Sequence, residues 1–305
     1  MKQPATVADR ILYHRSSTAP LRPGTPMSLR VGLIGHGAVG SVVAKAIQTS
    51  THGLSPTRIT LVAVLVQTSR DNETMGECLM TNDPTAFFQV PFDVCVECAG
   101  QQAVRQHAVA ALERGQKFLC TSIGALTDDA LMKQCEEAAI RGNSQFQLAA
   151  GAMPGLDWMS SSALEPGSVV TAVQTKPPIS WIGARYEPGT STALPDVVDF
   201  KTLVEPTIFF EGTAREAASY YPKNSNVLAM LALSTCGLDE CMVQLIADPV
   251  DQSMRQVINY EGSAGKLTLQ VCGKKSPSNP KTSQVVPLSV IKALRNMSAP
   301  VGFGL

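Results

Sequence analysis

The chain has 305 residues, 44% of them hydrophobic and 16% charged, so it is long enough for two domains that each bury a core. Its 25 basic and 25 acidic residues cancel, which argues against nucleic acid or an anionic membrane as partner and favours a small-molecule ligand. No apolar run approaches the roughly 18 to 20 residues that cross a bilayer, so we expect a soluble protein.

The first 27 residues differ from the rest of the chain. They contain four prolines and four basic side chains against one acidic side chain, without a clear period. We expect residues 1–27 to be a disordered extension of a cytoplasmic protein, with an organelle-targeting peptide as the less favoured alternative. Met27 is an alternative start of translation.

A Rossmann domain is predicted over residues 28–152. Short apolar runs alternate with helical spacing of apolar residues, and Thr127 or Asp128 is placed to cap one helix. Between residues 67 and 92 we recognise only a polar stretch. Repeated βαβ units of this kind predict an α/β fold with a doubly wound parallel sheet. The runs that predict its strands begin at residues 30, 59, 93, 117 and 145.

A second, α+β substrate domain is predicted over residues 153–279. The βαβ rhythm ends there, and two helical segments stand among strand-like runs, which favours a mainly antiparallel sheet. Residues 280–305 form a C-terminal segment whose helix, over 289–297, is expected to return to the Rossmann domain. Before that helix, SPSNPKTS (276–283) has the composition of a polar loop.

A glycine-rich loop stands directly between the first predicted strand and the first predicted helix. It reads GHGAVG over residues 35–40, which is the spacing of a dinucleotide-binding turn. Glycine is needed where the chain turns tightly, where a pyrophosphate approaches the backbone, and where the helix packs closely. An ordinary glycine-rich turn is the alternative, but the βα repeats that follow favour a cofactor site. We predict that NAD or NADP is bound by Gly35, His36, Gly37, Ala38, Val39 and Gly40.

The residues after the second strand distinguish NAD from NADP in such domains, because an acidic side chain there binds the ribose hydroxyls of NAD. This chain has Gln67, Thr68, Ser69 and Arg70, and no carboxylate before Asp71. Ser69 and Arg70 are able to receive a 2′-phosphate, although a solvated loop arginine explains Arg70 equally well. The sequence therefore permits either nucleotide.

Several strings in both halves of the chain resemble the L-aspartate dehydrogenase family. They stand in the family's order and spacing over roughly Leu29 to Phe303. The resemblance implies a Rossmann domain and an α+β substrate domain, usually in a homodimer, that convert L-aspartate and NAD or NADP to oxaloacetate and ammonia through an imine. By position, Ala152 and Asn226 match residues that contact the dinucleotide. The strings are VECAG (96–100), TSIGAL (121–126), GAMPGLD (151–157), KPP (176–178), FEGTAREAA with YPKNSNV (210–227), IADP (246–249) and NPKTS (279–283).

The catalytic histidine of the family is missing from this chain. The family carries it in an N-x-H string soon after IADP, where Met254 and Gln256 occupy the two positions. A histidine there would activate the water that attacks the imine and would carry its proton, whereas glutamine orients water without taking a proton. The chain's histidines lie elsewhere, at positions 14, 36, 52 and 107.

Three interpretations of this loss remain open. In the one that we favour, hydride transfer is intact and the water step is slower or uses another group, such as Lys223, Lys281 or Asp157. In the second, the enzyme reduces an imino acid that arrives ready-made. In the third, the chain binds a dinucleotide without turnover.

Lys176 and Lys281 are the candidate ligands for a substrate carboxylate. Lys176 stands before two prolines and Lys281 follows one, so a rigid turn is able to direct either ammonium group toward the substrate. The end of a strand explains Lys176 equally well, and a solvated loop lysine explains Lys281 equally well. Asp157 is expected to cap a helix that begins at Trp158.

The remaining chemically suggestive residues are assigned to packing. Cys95 and Cys98 are three apart on a strand, so they point to opposite faces, and no second pair follows at zinc spacing. No metal site is predicted. Trp158 and Trp181 are expected to pack in the substrate domain. The eight cysteines lie mostly in apolar runs, which favours a reducing compartment.

Overall fold

The computed structural model describes residues 28–68, 76–277 and 279–304, and of Pro280 and Lys281 only the backbone. The described residues form two compact units, one of 28–151 with 285–304 and one of 152–284. The predicted extension, residues 1–27, lies outside the described residues. Among the helices described, none has the length and apolar content of a membrane span.

Six parallel strands form the sheet of the first unit, in the spatial order β3-β2-β1-β4-β5-β6. The chain starts at the centre with β1, adds strands on one side, and crosses to the other side at β4. The carboxyl ends of β1 and β4 therefore flank the switch point at which doubly wound sheets bind ligands. This confirms the predicted fold class. The strands are β1 (Leu29–Ile34), β2 (Ile59–Leu65), β3 (Leu79–Thr81), β4 (Val94–Glu97), β5 (Lys117–Cys120) and β6 (Phe146–Leu148).

Both faces of this sheet are covered, because its strands carry apolar side chains on each face. Val31 and Leu33 of β1 belong to one buried cluster, and Ile34 and Cys95 belong to the other. Asp128 caps the fourth helix by accepting from two backbone amides, as predicted. The first four helices are α1 (Gly40–Gln48), α2 (Pro84–Gln89), α3 (Gln101–Glu113) and α4 (Asp129–Arg141).

The polar stretch after β2 contains two elements that the sequence analysis missed. Strand β3 has only three residues and α2 only six, too few to show a period. The local signals were nevertheless present. Asp83 caps α2 by accepting from the amide of Thr85 at 2.8 Å, and Pro84 occupies the first turn.

The second unit contains a five-stranded sheet in the order β11-β10-β7-β9-β8. Only β7 and β9 pair in parallel, so the sheet is mainly antiparallel, as predicted. Its helices are α5 (Leu156–Ser162), α6 (Ala214–Tyr220) and α7 (Asn226–Leu233). Its strands are β7 (Val169–Lys176), β8 (Thr207–Thr213), β9 (Met242–Ala247), β10 (Met254–Gly262) and β11 (Gly265–Gly273).

Two local predictions in the second unit were wrong. Asp157 does not cap a helix at Trp158, because α5 begins one residue before Asp157, after Gly155 has turned the chain with a φ of 68°. The expected polar loop is a short hairpin of β12 (Lys275–Ser276) and β13 (Asn279–Ser283). Its strands are held by backbone pairing, which leaves no apolar alternation in the sequence.

The last helix, α8 (Val285–Ser298), packs within the first unit. Val290, Ile291 and Leu294 are buried in the same cluster as Val43 and Ile47 of α1. The hydroxyl of Ser289 also accepts from the amide of Gly151 at 3.1 Å, beyond the end of β6. The C-terminal helix thereby completes one face of the parallel sheet.

Candidate active site

The glycine loop connects the carboxyl end of β1 to the start of α1. Gly35 has a φ of 94°, and a Cβ at this position would lie 2.8 Å from the carbonyl oxygen of Cys98. A Cβ at Gly40 would lie 2.0 Å from the carbonyl oxygen of Gly35. Any side chain at either position would therefore push the loop apart.

Gly37 is different, because its backbone faces open space. A Cβ built there meets nothing within 4 Å among the described residues. Within the same part of the chain, α1 starts without a side-chain cap and without an acidic residue in its first turn. The positive end of the helix dipole is thus free of a competing carboxylate. The loop fits the pyrophosphate of a dinucleotide, which needs both features.

Glu97 ties together two turns at the carboxyl edge of the parallel sheet. It is fully buried, yet its Oε1 accepts from the amides of Ala99 and Gly100, both at 2.7 Å. Its Oε2 accepts from the amides of Thr121 and Ser122 at 3.2 and 3.0 Å. These bonds offset the cost of burying the carboxylate. This role was not predicted from the sequence, although an acidic residue in the apolar run VCVECAG was the available signal.

Three cysteines surround Glu97, of which Cys95 and Cys120 are buried and Cys98 is partly buried. Burial raises the pKa of Cys95, Cys98 and Cys120 well above the ordinary value, and the Glu97 carboxylate raises it further. Cys95 packs in one core cluster and Cys98 packs against the other, so the two side chains lie on opposite sides of the sheet. A thiol with a raised pKa is a poor nucleophile, and these cysteines serve packing.

A row of buried polar side chains crosses one face of the sheet in the second unit. Gln174 and Lys176 are two residues apart on β7, and Gln256 of β10 is the register partner of Gln174. All three side chains therefore point from the same face. They are only 1%, 5% and 8% exposed. The Oε1 atoms of Gln174 and Gln256 are buried and find no hydrogen-bond partner among the described residues.

Lys176 is a buried amine with one hydrogen-bond partner of its own. Its Nζ donates to Oδ1 of Asn224 at 3.1 Å and lies 4.9 Å from the ring centre of Trp181. Asn224 in turn donates to the carbonyl oxygen of Ser180 at 3.5 Å. No carboxylate in the described ranges forms an ion pair with Lys176, and burial lowers its pKa from 10.5 to about 7. Near neutral pH the amine is therefore available in both protonation states.

The predicted site residues of the second unit are only partly brought together. Lys176 and Gln256 share the sheet face, and Asn226 begins α7 two residues after Asn224. Ala152 lies ahead of α5, and the side chain of Lys281 lies outside the described residues. In the first unit, Ser69 and Arg70 lie outside the described residues, and so do their predicted contacts to a 2′-phosphate.

The other substitutes proposed for the histidine are exposed side chains. Asp157 lies in the first turn of α5, and Lys223 donates a hydrogen bond to the hydroxyl of Tyr186. Gln174 and Asn224 were not predicted from the sequence. The available signals were a glutamine among the apolar residues of VVTAVQTK and the second polar position of YPKNSNV.

Comparison with known proteins finds relatives of both units. Residues 35–149 match a family described as the NAD binding domain of homoserine dehydrogenase, and residues 157–297 match the C-terminal domain of aspartate dehydrogenase. The L-aspartate dehydrogenase of Ruegeria pomeroyi is 36% identical over 90% of this chain and 94% of its own length. That of Acinetobacter baumannii is 40% identical over 67% and 74%. The solved aspartate dehydrogenase of Thermotoga maritima has the same fold, with a TM-score of 0.66, 20% identity, and coverage of 90% and 99%.

Proposed function

The chain belongs to the L-aspartate dehydrogenase family, and we propose that it interconverts L-aspartate and oxaloacetate plus ammonia with NAD or NADP. The observation that carries the proposal is the 36% sequence identity to such an enzyme in an alignment that covers 90% of the chain. Two features of the structure support it. The first unit has an open glycine loop on a doubly wound sheet, and the second has a buried lysine amine in one row with two unpartnered glutamine oxygens.

The dinucleotide would be held by the loop Gly35–Gly40 and the start of α1, with Ala152 and Asn226 as further candidate contacts. When bound, NAD or NADP supplies the acceptor for the hydride. His36, Ala38 and Val39 contribute the backbone between the glycines. The assignment of the loop follows from its steric properties, because Gly37 alone among its three glycines has open space beside it. The assignment of Ala152 and Asn226 rests on the family resemblance.

Lys176 supplies N–H donors for a substrate carboxylate in a region where no described carboxylate competes for them. Lys281 is the candidate for the second carboxylate of aspartate. The free Oε1 atoms of Gln174 and Gln256 are acceptors suited to the substrate ammonium group or to a water molecule. Substrate binding would satisfy these oxygens, whose burial without a partner costs about 1–3 kcal/mol each.

Gln256 at the family's histidine position favours a second candidate function, the reduction of an imino acid that arrives ready-made. Glutamine holds a water or an imine nitrogen by hydrogen bonds but cannot carry the proton. An enzyme of this kind would reduce the imine quickly and oxidise L-aspartate slowly, because only the second reaction needs an activated water.

The two functions are separated by following the absorbance of reduced nicotinamide. We expect turnover with L-aspartate, and with oxaloacetate plus ammonia, using NAD and NADP in parallel, for wild type and Gln256→His. Wild-type turnover of L-aspartate supports the proposed function. Turnover that appears only with the histidine variant contradicts it and favours the imine reductase or a protein that binds the nucleotide without turnover.

We also propose a cytoplasmic homodimer. All eight cysteines are free thiols, which fits a reducing compartment. The face of the five-stranded sheet opposite the polar row carries exposed apolar side chains, Val169, Ile208 and Met242, which are 63%, 53% and 44% exposed. Apolar side chains on an open sheet face fit burial against a second copy of the chain.

A further inference from the structure

The missing histidine leaves one chemical task without a group to perform it. A water must lose a proton as it attacks the imine, and Gln256 is unable to accept that proton. The acceptor must be uncharged near neutral pH and must lie within reach of the water that Gln256 would hold. The inference that follows rests on the proposed function.

We propose that Lys176 is the group that accepts the proton from this water, in place of the histidine that the family carries at position 256. Lys176 is diagonal to Gln256 on the same sheet face, since Gln256 pairs with Gln174 and Lys176 lies two residues beyond. Diagonal neighbours of this kind have Cβ atoms about 7 Å apart. One water spans the remaining gap between a lysine amine and a glutamine amide.

The environment of Lys176 matches the task. The bond from its Nζ to Asn224 holds the amine in place, and an uncharged amine keeps one lone pair to accept a proton. Burial lowers its pKa to about 7, the range in which a general base works at physiological pH. The ring of Trp181 at 4.9 Å stabilises the ammonium form once the proton has been taken up.

The charged groups on the strands next to Lys176 are engaged with one another. Asp248, at the end of β9, accepts from the amides of Val250 and Asp251 at 2.9 Å. Arg255, at the start of β10, lies 3.7 Å from the carboxylate of Asp248 and 3.9 Å from that of Asp251. These three groups interact with one another, and none of them forms an ion pair with the amine of Lys176 in the described ranges.

The titratable groups on the segment before α7 are also occupied or neutral. Lys223 donates to the hydroxyl of Tyr186. Tyr221 packs its ring on Trp181, and burial raises its pKa, so it stays uncharged near neutral pH. Neither group replaces Lys176 as an acceptor on the sheet face.

The water step balances with Lys176 as the only proton carrier. The water oxygen forms a bond to the carbon of the protonated imine that hydride loss leaves, the C=N π pair moves to nitrogen, and one water proton passes to Nζ, which leaves a neutral carbinolamine. Nζ then returns a proton to the nitrogen, the C–N bond breaks and ammonia leaves. The hydroxyl oxygen becomes the carbonyl of oxaloacetate, and its proton passes to Nζ and then to solvent.

The first test compares the full-length wild type with Lys176→Arg, which keeps N–H donors for a carboxylate but accepts no proton. We expect kcat for L-aspartate oxidation to fall about 100-fold or more, with a smaller change in KM. Lys201→Arg, at an exposed lysine of the same unit, is the matched control and should retain activity. The wild-type kcat should rise as pH increases through about 7, as the amine loses its proton.

Two further readouts exclude a merely structural role for Lys176. Adding Gln256→His to Lys176→Arg restores a proton acceptor, and we expect it to recover at least about tenfold in kcat. In the protein without nucleotide, the 13Cε signal that disappears in Lys176→Arg should titrate near pH 7. Full activity of Lys176→Arg, or a signal that titrates like an ordinary lysine, would overturn the inference while the proposed function stands. A wild type that fails to oxidise L-aspartate overturns both.

Discussion

The glycines of the nucleotide loop differ in what a methyl group would meet, and this difference separates folding from binding. A Cβ at Gly37 meets nothing within 4 Å, whereas a Cβ at Gly40 meets the Gly35 carbonyl at 2.0 Å. We expect Gly37→Ala to keep the melting temperature of the wild type but to weaken nucleotide binding at least about tenfold, because the methyl group occupies the space of the pyrophosphate.

Gly40→Ala is the matched control in the same loop. It should lower the free energy of unfolding by about 2 kcal/mol, since the methyl group is forced against backbone. Thermal unfolding and titration of reduced nucleotide fluorescence check both variants. Equal nucleotide affinity in Gly37→Ala and wild type would contradict the assignment of this loop.

Lys176 also makes stability depend on pH. Its pKa in the folded protein, about 7, is below the ordinary 10.5, so between these values the unfolded chain binds the extra proton. The contribution of Lys176 to the free energy of unfolding therefore rises with pH across this window. Below pH 7 the folded protein bears the full cost of burying the charged amine. Relative to Lys176→Met, the free energy of unfolding of the wild type should increase by on the order of 4 kcal/mol between about pH 6 and pH 10.5.

This dependence is measured by urea unfolding of wild type, Lys176→Met and the exposed control Lys223→Met at several pH values. The control should follow the wild type at every pH. If the free energy of unfolding changes with pH in the same way for wild type and Lys176→Met, the folded protein does not depress the pKa of Lys176.

At the scale of elements, Glu97 joins the turns that follow β4 and β5. In Glu97→Gln one acceptor oxygen is replaced by a donor, which leaves at least two backbone amides facing an NH2 group. We expect a loss of about 3 kcal/mol in the free energy of unfolding, together with weaker nucleotide binding at the adjacent carboxyl edge of β1.

Glu113→Gln is the matched control for this change. Its carboxylate pairs with Arg141 at 2.8 Å on the surface, where such pairs contribute less than about 1 kcal/mol. Urea unfolding of the two variants provides the comparison. A Glu97→Gln protein as stable as the control would show that the buried carboxylate is dispensable.

The elements themselves were predicted to different degrees. Long runs with a clear period, such as β2, α3 and α4, were recognised because a buried face repeats in the sequence. Strand β3 and helix α2 are too short for that. The hairpin of β12 and β13 is held by backbone pairing, and α5 starts earlier than expected because Gly155 turns the chain.

At the scale of the whole molecule, the homodimer is the next property to test. We expect wild type to sediment as a dimer and Met242→Glu to sediment as a monomer, because the carboxylate would be buried in the proposed interface. Val204→Glu, at a loop residue that is 86% exposed, should remain dimeric. A monomeric wild type in sedimentation velocity would contradict the proposed assembly.

The doubly wound sheet, the place of the glycine loop and the loss of the histidine are all readable in the amino-acid sequence. These features are readable because each depends on residues that are neighbours in the chain. The polar row was decided only by tertiary structure, since Gln174, Lys176 and Gln256 meet through the register of β7 and β10. The low pKa of Lys176 has the same origin, because burial is a property of packing and no local pattern encodes it.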